Sequence, residues 1–328
     1  MLNAHNVLQL GWQSAFATAN GTATRKLQNV SSFKLRPELE TRALDQLRGT
    51  MAPTHQTTLD RYLSSATAET SDTDFEELNY GLEMLFGTVT PTGSANPYTR
   101  AYAAPTTSAI TPRPATLQFG QTDEVWQMQD ATVTSLTLSG AANSGVSVGA
   151  SLMGGLVKEG SLAVLADVTT GTRLSGCMAS VAIETWAGNT FTPLASSAFS
   201  WELSVNANRE YHNFLGECTP SASYDNKWSG QLKLSLELNT STDDYLIAML
   251  GASASSILEK QVRIIYTVGS STTLRSFTLT FAGHSMQAPE LFQDKNGLMT
   301  YDLVLDGVYN PTLTNWLTFE TKSALATL

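Results

Sequence analysis

The sequence predicts an α+β fold that is mainly β: two similar β-sandwich or open-barrel units in tandem, each carrying one short helix. Three observations lead there. Leu232, Leu234, Leu236 and Leu238 alternate with Gln231, Lys233, Ser235 and Glu237, and a period of two places every leucine on one face of a pleated strand. Ser241 then precedes Asp244 by three residues, the spacing of a capping box, before an apolar stripe of Tyr245, Leu246, Met249 and Leu250 and a stop at Gly251. Finally, this order of strand, cap, helix and stop occurs earlier. Thr73 and Glu76 form the pair, Phe75, Leu78, Leu82, Leu85 and Phe86 the stripe, and Gly87 the stop, with Ala66 and Ala68 on the preceding strand.

Further matches keep the same order along the chain. RALDQLRG (Arg42 to Gly49) recurs 167 residues on (42 to 209) as REYHNFLG, Arg209 to Gly216. TLQFG (Thr116 to Gly120) echoes TLTFAG (Thr278 to Gly283), and TSLTLSG (Thr134 to Gly140) echoes YDLVLDG (Tyr301 to Gly307). Repeated order at similar offsets marks an internal duplication. The expected units are residues 1–160 and 161–328.

Taken in order, residues 1 to 32 read as an extended arm or first strand with little core of its own. Pro37 restricts a strand over 33 to 49 to a sheet edge or a strand start. Two proline-containing excursions, Gly49 to Tyr62 and Gly216 to Trp228, stand at matching places and are candidate contact arms. A short strand is expected at Tyr98 to Tyr102, and others at Thr116–Phe119, Ala131–Leu138 and Val146–Leu152. GASLMGG (Gly149 to Gly155) reads as a strand-end turn. SLAVLADV and CMASVAIETW, within 161 to 186, are candidate strands around a turn at Thr169 to Thr172. The second unit continues with strands at Phe199–Val205, Gln231–Leu238, Gln261–Val268, Leu274–Phe281 and Leu298–Val308, and then a polar end.

Only 15% of residues are charged, the net charge is −10, and the acidity is even: 10 basic and 15 acidic residues up to Asp167, 9 and 14 after it. No basic tract of the kind that neutralises phosphates is present, which argues against a direct grip on nucleic acid. No apolar run approaches the roughly 20 residues that span a bilayer. Cys177 and Cys218 are expected as buried free thiols. Trp126, Trp186, Trp201 and Trp228 are expected as core or interface anchors.

The residues offer little chemistry. His5, His55, His212 and His284 stand at no metal-ligand spacing, and neither a GxSxG nor a phosphate-loop pattern occurs. The run SDTDFEE (Ser71 to Glu77) fits a helix start better than a calcium loop, which requires a glycine and a terminal glutamate at set places. We therefore expect no enzyme, no catalytic or metal residue, and no cofactor.

The whole chain resembles a major tail tube protein of long-tailed bacteriophages. The likeness lies in LGWQSAFATANGTATRKL, FKLRPELETRALDQLRG, SATAETSDTDFEELNYGLEMLFG, DATVTSLTLSG and MTYDLVLDGVYNPTL. It implies a structural virion protein, assembled in the host cytoplasm, whose domains form rings that stack into a hollow tube. Genome DNA would pass through the lumen only as a transient, non-specific contact. It implies sixfold rings, here three copies of a duplicated chain with a true hexamer as alternative. Tape measure, terminator and baseplate proteins are the other implied partners, with no membrane. Glu38, Glu40 and Glu202 are candidate lumen residues, and the two excursions are candidate ring-stacking contacts. Another tail ring component, or a β-sandwich that binds glycans through Trp and Tyr, is the alternative.

Overall fold

The computed structural model describes residues 6–18, 21–43, 57–121, 123–167, 171–188, 190–194, 197–249, 258–285, 293–295 and 297–328. The first half runs β1 (Val7–Trp12), β2 (Arg25–Leu27), β3 (Val30–Ala43), β4 (Thr57–Thr70), α1 (Leu78–Phe86), β5 (Tyr98–Ala103), β6 (Ala115–Gln121), β7 (Glu124–Ala141), β8 (Ser147–Gly154) and β9 (Val157–Glu159). The second runs β10 (Ala179–Thr185), β11 (Ala198–Asn206), β12 (Arg209–His212), β13 (Ala222–Asp225), β14 (Ser229–Glu237), α2 (Asp243–Met249), β15 (Leu258–Val268), β16 (Arg275–Ser285), β17 (Gln293–Lys295), β18 (Leu298–Gly307) and β19 (Leu317–Ser323). The fold is mainly β; among the described residues the strand pairing is antiparallel and no barrel closes.

The halves repeat one connectivity. In the first, neighbours follow the order β3, β4, β8, β7, β6, β1. In the second, the order is β11, β14, β18, β16, β15, β10. The strand-then-helix match therefore falls on equivalent elements, β4–α1 and β14–α2. The other two matched pairs do not: TLQFG lies on β6 but TLTFAG on β16, whose counterpart is β7, and TSLTLSG lies on β7 but YDLVLDG on β18, whose counterpart is β8. Alternation is common to all half-buried strands, so such short matches can slip by one strand.

β7 joins the halves. Its N-terminal part pairs with β6 and β9, while its C-terminal part pairs with β8 on one edge and with β11 on the other. The change of partner centres on Asp130, at φ 54°, a left-handed conformation that an aspartate tolerates better than most residues. Gln13 clamps this bend, its Oε1 accepting from the Asp130 N–H at 2.8 Å, while Asp130 Oδ1 accepts from Gln13 Nε2 and the Ala17 N–H. A front sheet in the order β3, β4, β8, β7, β11, β14, β18 results, with β17 on its far edge. Behind it lie β2, β1, β6 and β9 on one side and β10, β15, β16, β19 and β5 on the other.

The core is one contiguous cluster drawn from both halves, including Leu10, Leu82, Leu117 and Leu152 with Leu203, Leu232, Ile264 and Phe319. Ala66 and Ala68 face the interior from β4 as Leu232, Leu234 and Leu236 do from β14. Beside Ala68, Ala150 and Leu152 lies an apolar cavity of about 80 Å³, the volume that smaller side chains leave unfilled. α1 is held from the opposite half as well, Asn79 Oδ1 accepting from Thr321 Oγ1 at 2.6 Å; within its own half Glu83 is buried against Arg100 and Arg113.

Several local expectations are corrected. α1 begins at Leu78 and not after a Thr73–Glu76 box. Asp74 Oδ1 accepts from the Glu76 and Glu77 N–H groups, and Glu76 instead accepts from Arg275 and the Ala324 N–H. Ahead of α2 the box is Asn239 with Thr242 and not Ser241 with Asp244: Asn239 Oδ1 accepts from the Ser241 N–H, and Thr242 Oγ1 from the Asn239 N–H. Gly251 lies outside the described residues.

The N-terminal segment does carry core, since Leu8 and Leu10 on β1 are buried. Gly149 sits within β8 and not in a turn. Residues 161–167 of SLAVLADV form no strand. Its Ala163 exchanges two hydrogen bonds with the side chain of Gln9, 2.8 and 2.9 Å, and Val164 is fully exposed. β19, where Leu317, Phe319, Thr321 and Ser323 face inward, replaces the expected polar end.

Burial raises the Asp130 carboxyl above its ordinary value of 3.8, against the lowering effect of the Ala17 and Gln13 hydrogen bonds. A raised folded-state value favours the native state at low pH and removes that contribution as pH climbs through it. Asp130→Asn, which keeps the Oδ1 acceptor, should therefore gain in thermal midpoint relative to the parent as pH increases from about 3.5 to 6. A constant difference between the two melting curves would refute this account of the bend.

Candidate assembly surface

Period-two alternation gives the front sheet one buried face and one exposed face. On the exposed face the register aligns Ser147, Ser139, Glu202 and Lys233 in one row and Glu69, Gly149, Thr137, Ser204 and Gln231 in the next. A third row holds Lys34, Thr67, Ser151, Ser135 and Asn206. Seven of these fourteen residues are serine or threonine, six of them in the first half. The charged residues of this face are Glu38, Glu40, Glu69, Glu202, Glu237, Asp302 and Asp306 against Lys34, Arg36, Arg61 and Lys233, an acidic balance. Lys233 is paired to Asp302 at 2.8 Å.

Glu38, Glu40 and Glu202 thus share one face, but the structure does not bring them together. Glu202 stands mid-sheet on β11. Glu38 and Glu40 lie near the outer end of β3, where Glu38 accepts from Ser65 Oγ at 3.0 Å and Glu40 pairs with Arg61.

The edges of this sheet differ. Among the described residues β3 pairs only with β4, leaving fourteen residues of strand with one unpaired edge; Pro37 sits within it, as an edge strand permits. β8 covers β4 only from Ser64 to Thr70. The rest of the β3–β4 hairpin projects as a two-stranded arm bearing exposed Leu39 and Leu59. Residues 44–56, the tip of the first excursion, lie outside the described residues. The second excursion contains β13 and touches the first, the Tyr62 N–H donating to Cys218 O at 2.7 Å. Phe214 and Leu215 are exposed there.

The seam between β7 and β11 shows what such an edge becomes when occupied. Gly140 lies opposite Trp201, whose indole N–H donates to Tyr266 OH at 2.8 Å. A Cβ at Gly140 would come within 2.6 Å of both groups. Outside the ladder, Arg209 is the clasp. Its side chain is fully buried; it donates to Met84 O (3.2 Å) and Leu85 O (2.9 Å) in the last turn of α1, to Val133 O (2.7 Å) on β7, and to both carboxylate oxygens of Asp225. Cations suit a helix C-terminus. Tyr211, two residues on, bonds through its hydroxyl to Thr132, Asp130 O and Met153 O, and burial raises its pKa. Sequence patterns missed this clasp; the recurrence of Arg42 as Arg209 was its one visible trace.

The remaining candidates are placed as follows. Asp72 pairs with Arg173 at 3.5 Å, and Glu77 accepts from the Gln28 and Asn29 N–H groups, so the carboxylates of SDTDFEE that face the protein are taken up by protein donors. Cys177 and Cys218 are free but exposed, contrary to the expected burial. Trp201 and Trp228 are core, Trp186 is half-buried and Trp126 is exposed. His212 stacks on Tyr224, and His5 and His55 lie outside the described residues.

No family model and no curated protein matches the chain. The surface is therefore read from its own geometry.

Removing the clasp should expose its worth. Arg209→Met leaves the buried Asp225 carboxylate with only the Trp228 indole N–H as a donor and takes the Arg209 N–H groups from three carbonyls, a loss of about 3–5 kcal/mol for one partner of a buried pair. Urea denaturation of the full chain measures it. A change below about 1 kcal/mol would mean that the seam is held by the ladder alone.

Proposed function

We propose that this chain is a structural subunit that joins head to tail into closed rings, and that the rings stack into the hollow tail tube of a long-tailed bacteriophage, with the genome passing through the bore. One observation carries the reading. β11 is the repeat counterpart of β3, and β11 has its outer edge paired to β7 of the preceding half, whereas the same edge of β3 is unpaired. The chain thus contains one worked example of the contact that its own N-terminal edge lacks. A second copy presenting the edge of β17 left open among the described residues, at the far end of its own front sheet, would complete the ladder, and a head-to-tail contact that closes by rotation generates a ring. Unpaired edges are otherwise a liability.

Each half contributes the same run of strands to the front sheet, so three chains make six repeats. The exposed face of that sheet then lines the bore. Hydroxyls and an excess of carboxylates give DNA little to hold, whereas a basic lining would retain phosphates through counterion release. The projecting arm, with exposed Leu39 and Leu59, and the exposed Phe214–Leu215 loop are the surfaces suited to contact between stacked rings.

Electron microscopy of the purified protein at rising concentration should reveal three-chain rings and then tubes with a regular axial repeat. Persistence as single copies at every concentration would defeat the reading. Given tubes, Glu202→Lys combined with Glu237→Lys should make them retain short duplex DNA at least tenfold more at 50 mM than at 500 mM salt. Equal elution of parent and variant would place that face elsewhere than in the bore.

A further inference from the structure

The second half's hairpin does not run straight. After Asn206 the chain bends through Ala207, which is buried, and Asn208 at φ 47°, whose N–H donates to Asn206 Oδ1 and whose Nδ2 donates to Lys227 O. The bend swings β12 and β13 onto the first half and delivers Arg209 to the last turn of α1. Trp228 completes the joint, donating to Asp225 Oδ2 and packing against Phe86 with ring centres 5.1 Å apart.

The first half's hairpin carries the same parts in a different state. Arg42 and Asp60 correspond to Arg209 and Asp225, at offsets of 167 (209 − 42) and 165 (225 − 60). They too form an ion pair across their hairpin, at 3.6 Å. The second pair is 0% and 2% exposed at its side chains; the first is 67% and 43% exposed and bonds to nothing beyond its own arm among the contacts described. A register irregularity interrupts β3 between Glu40 and Thr41, 167 residues before the bend at Ala207 and Asn208. In the free arm Arg42 lies opposite Thr58 and diagonal to Asp60, whereas Arg209 lies directly opposite Asp225. The arm thus has a hinge point in place and differs from the docked hairpin by a register shift of two residues (60 − 58).

We propose that this arm is a docking device for a second copy of the chain: Arg42, backed by Asp60, closes on the last turn of that copy's α2, as Arg209, backed by Asp225, closes on α1. The partner is fixed by the repeat, since α2 follows β14 as α1 follows β4. An exposed arginine already paired to a carboxylate arrives oriented, and helix-end carbonyls accept its remaining N–H groups. The inference rests on the head-to-tail reading above and adds to it the clasp that locks each intermolecular seam.

The test compares Arg42→Gln with Arg36→Gln, an equal loss of charge at an exposed position on the same strand, in the full chain by native mass spectrometry. The expected result is closed oligomers for the parent and for Arg36→Gln, with association at least tenfold weaker for Arg42→Gln at unchanged monomer melting. Position is checked separately. In a Cys177→Ser, Cys218→Ser background, Thr58→Cys with Ala248→Cys should yield disulfide-linked multimers on oxidation. Closed oligomers in which Arg42→Gln matches Arg36→Gln and no such links form would overturn the docking arm while leaving the ring intact. A parent that never associates would overturn both.

Discussion

Every other feature of this fold depends on a single strand serving two neighbours. β7 is long enough to belong to the back layer of the first half at one end and to the front sheet at the other, and its C-terminal edge then accepts β11. Because backbone donors and acceptors out of water must be paired, that edge cannot be left half-covered. The bend at Asp130, the bare Cα of Gly140 and the buried guanidinium of Arg209 all meet this one demand. Remove the shared ladder and each is an unexplained cost: a left-handed aspartate, a missing side chain, a charge out of water.

What the sequence disclosed followed from periodicity. Leu232 to Leu238 was legible as a one-faced strand because alternation is local, and α1 was legible from its stripe. Pro37 announced an edge strand or a strand start because a residue without an N–H is poorly tolerated within a paired ladder, and the structure has the edge. Illegible features depended on distance. Asp74, one residue after Thr73, takes the amides of Glu76 and Glu77 in the turn before α1, since several hydroxyls and carboxylates nearby compete for the same amides. SLAVLADV has the composition of a strand, but the Gln9 side chain takes the place of a neighbouring ladder. β19 looked polar because Thr321 and Ser323 occupy interior positions. The clasp at Arg209 draws on residues from 84 to 225, and no window along the chain contains it.

The exposed face was legible in character but not in arrangement. Glu38, Glu40 and Glu202 do share it, as parity within strands allows one to expect. Their separation is set by the order of strands, which places β3 and β11 on either side of β4, β8 and β7. The hydroxyls contributed by β4, β7, β8 and β11 were not singled out from sequence, because a serine that faces water leaves no mark on its own.

The seam within the chain has a consequence for how this protein changes over generations. Its two sides are encoded together and translated in a one-to-one ratio, so a substitution on β7 meets only the one β11 that follows it. A joint between separate copies has no such freedom, because both of its faces are stamped on every molecule. Divergence can therefore gather at the covalent joint, where a change at Gly140 need be answered only by Trp201 of the same molecule.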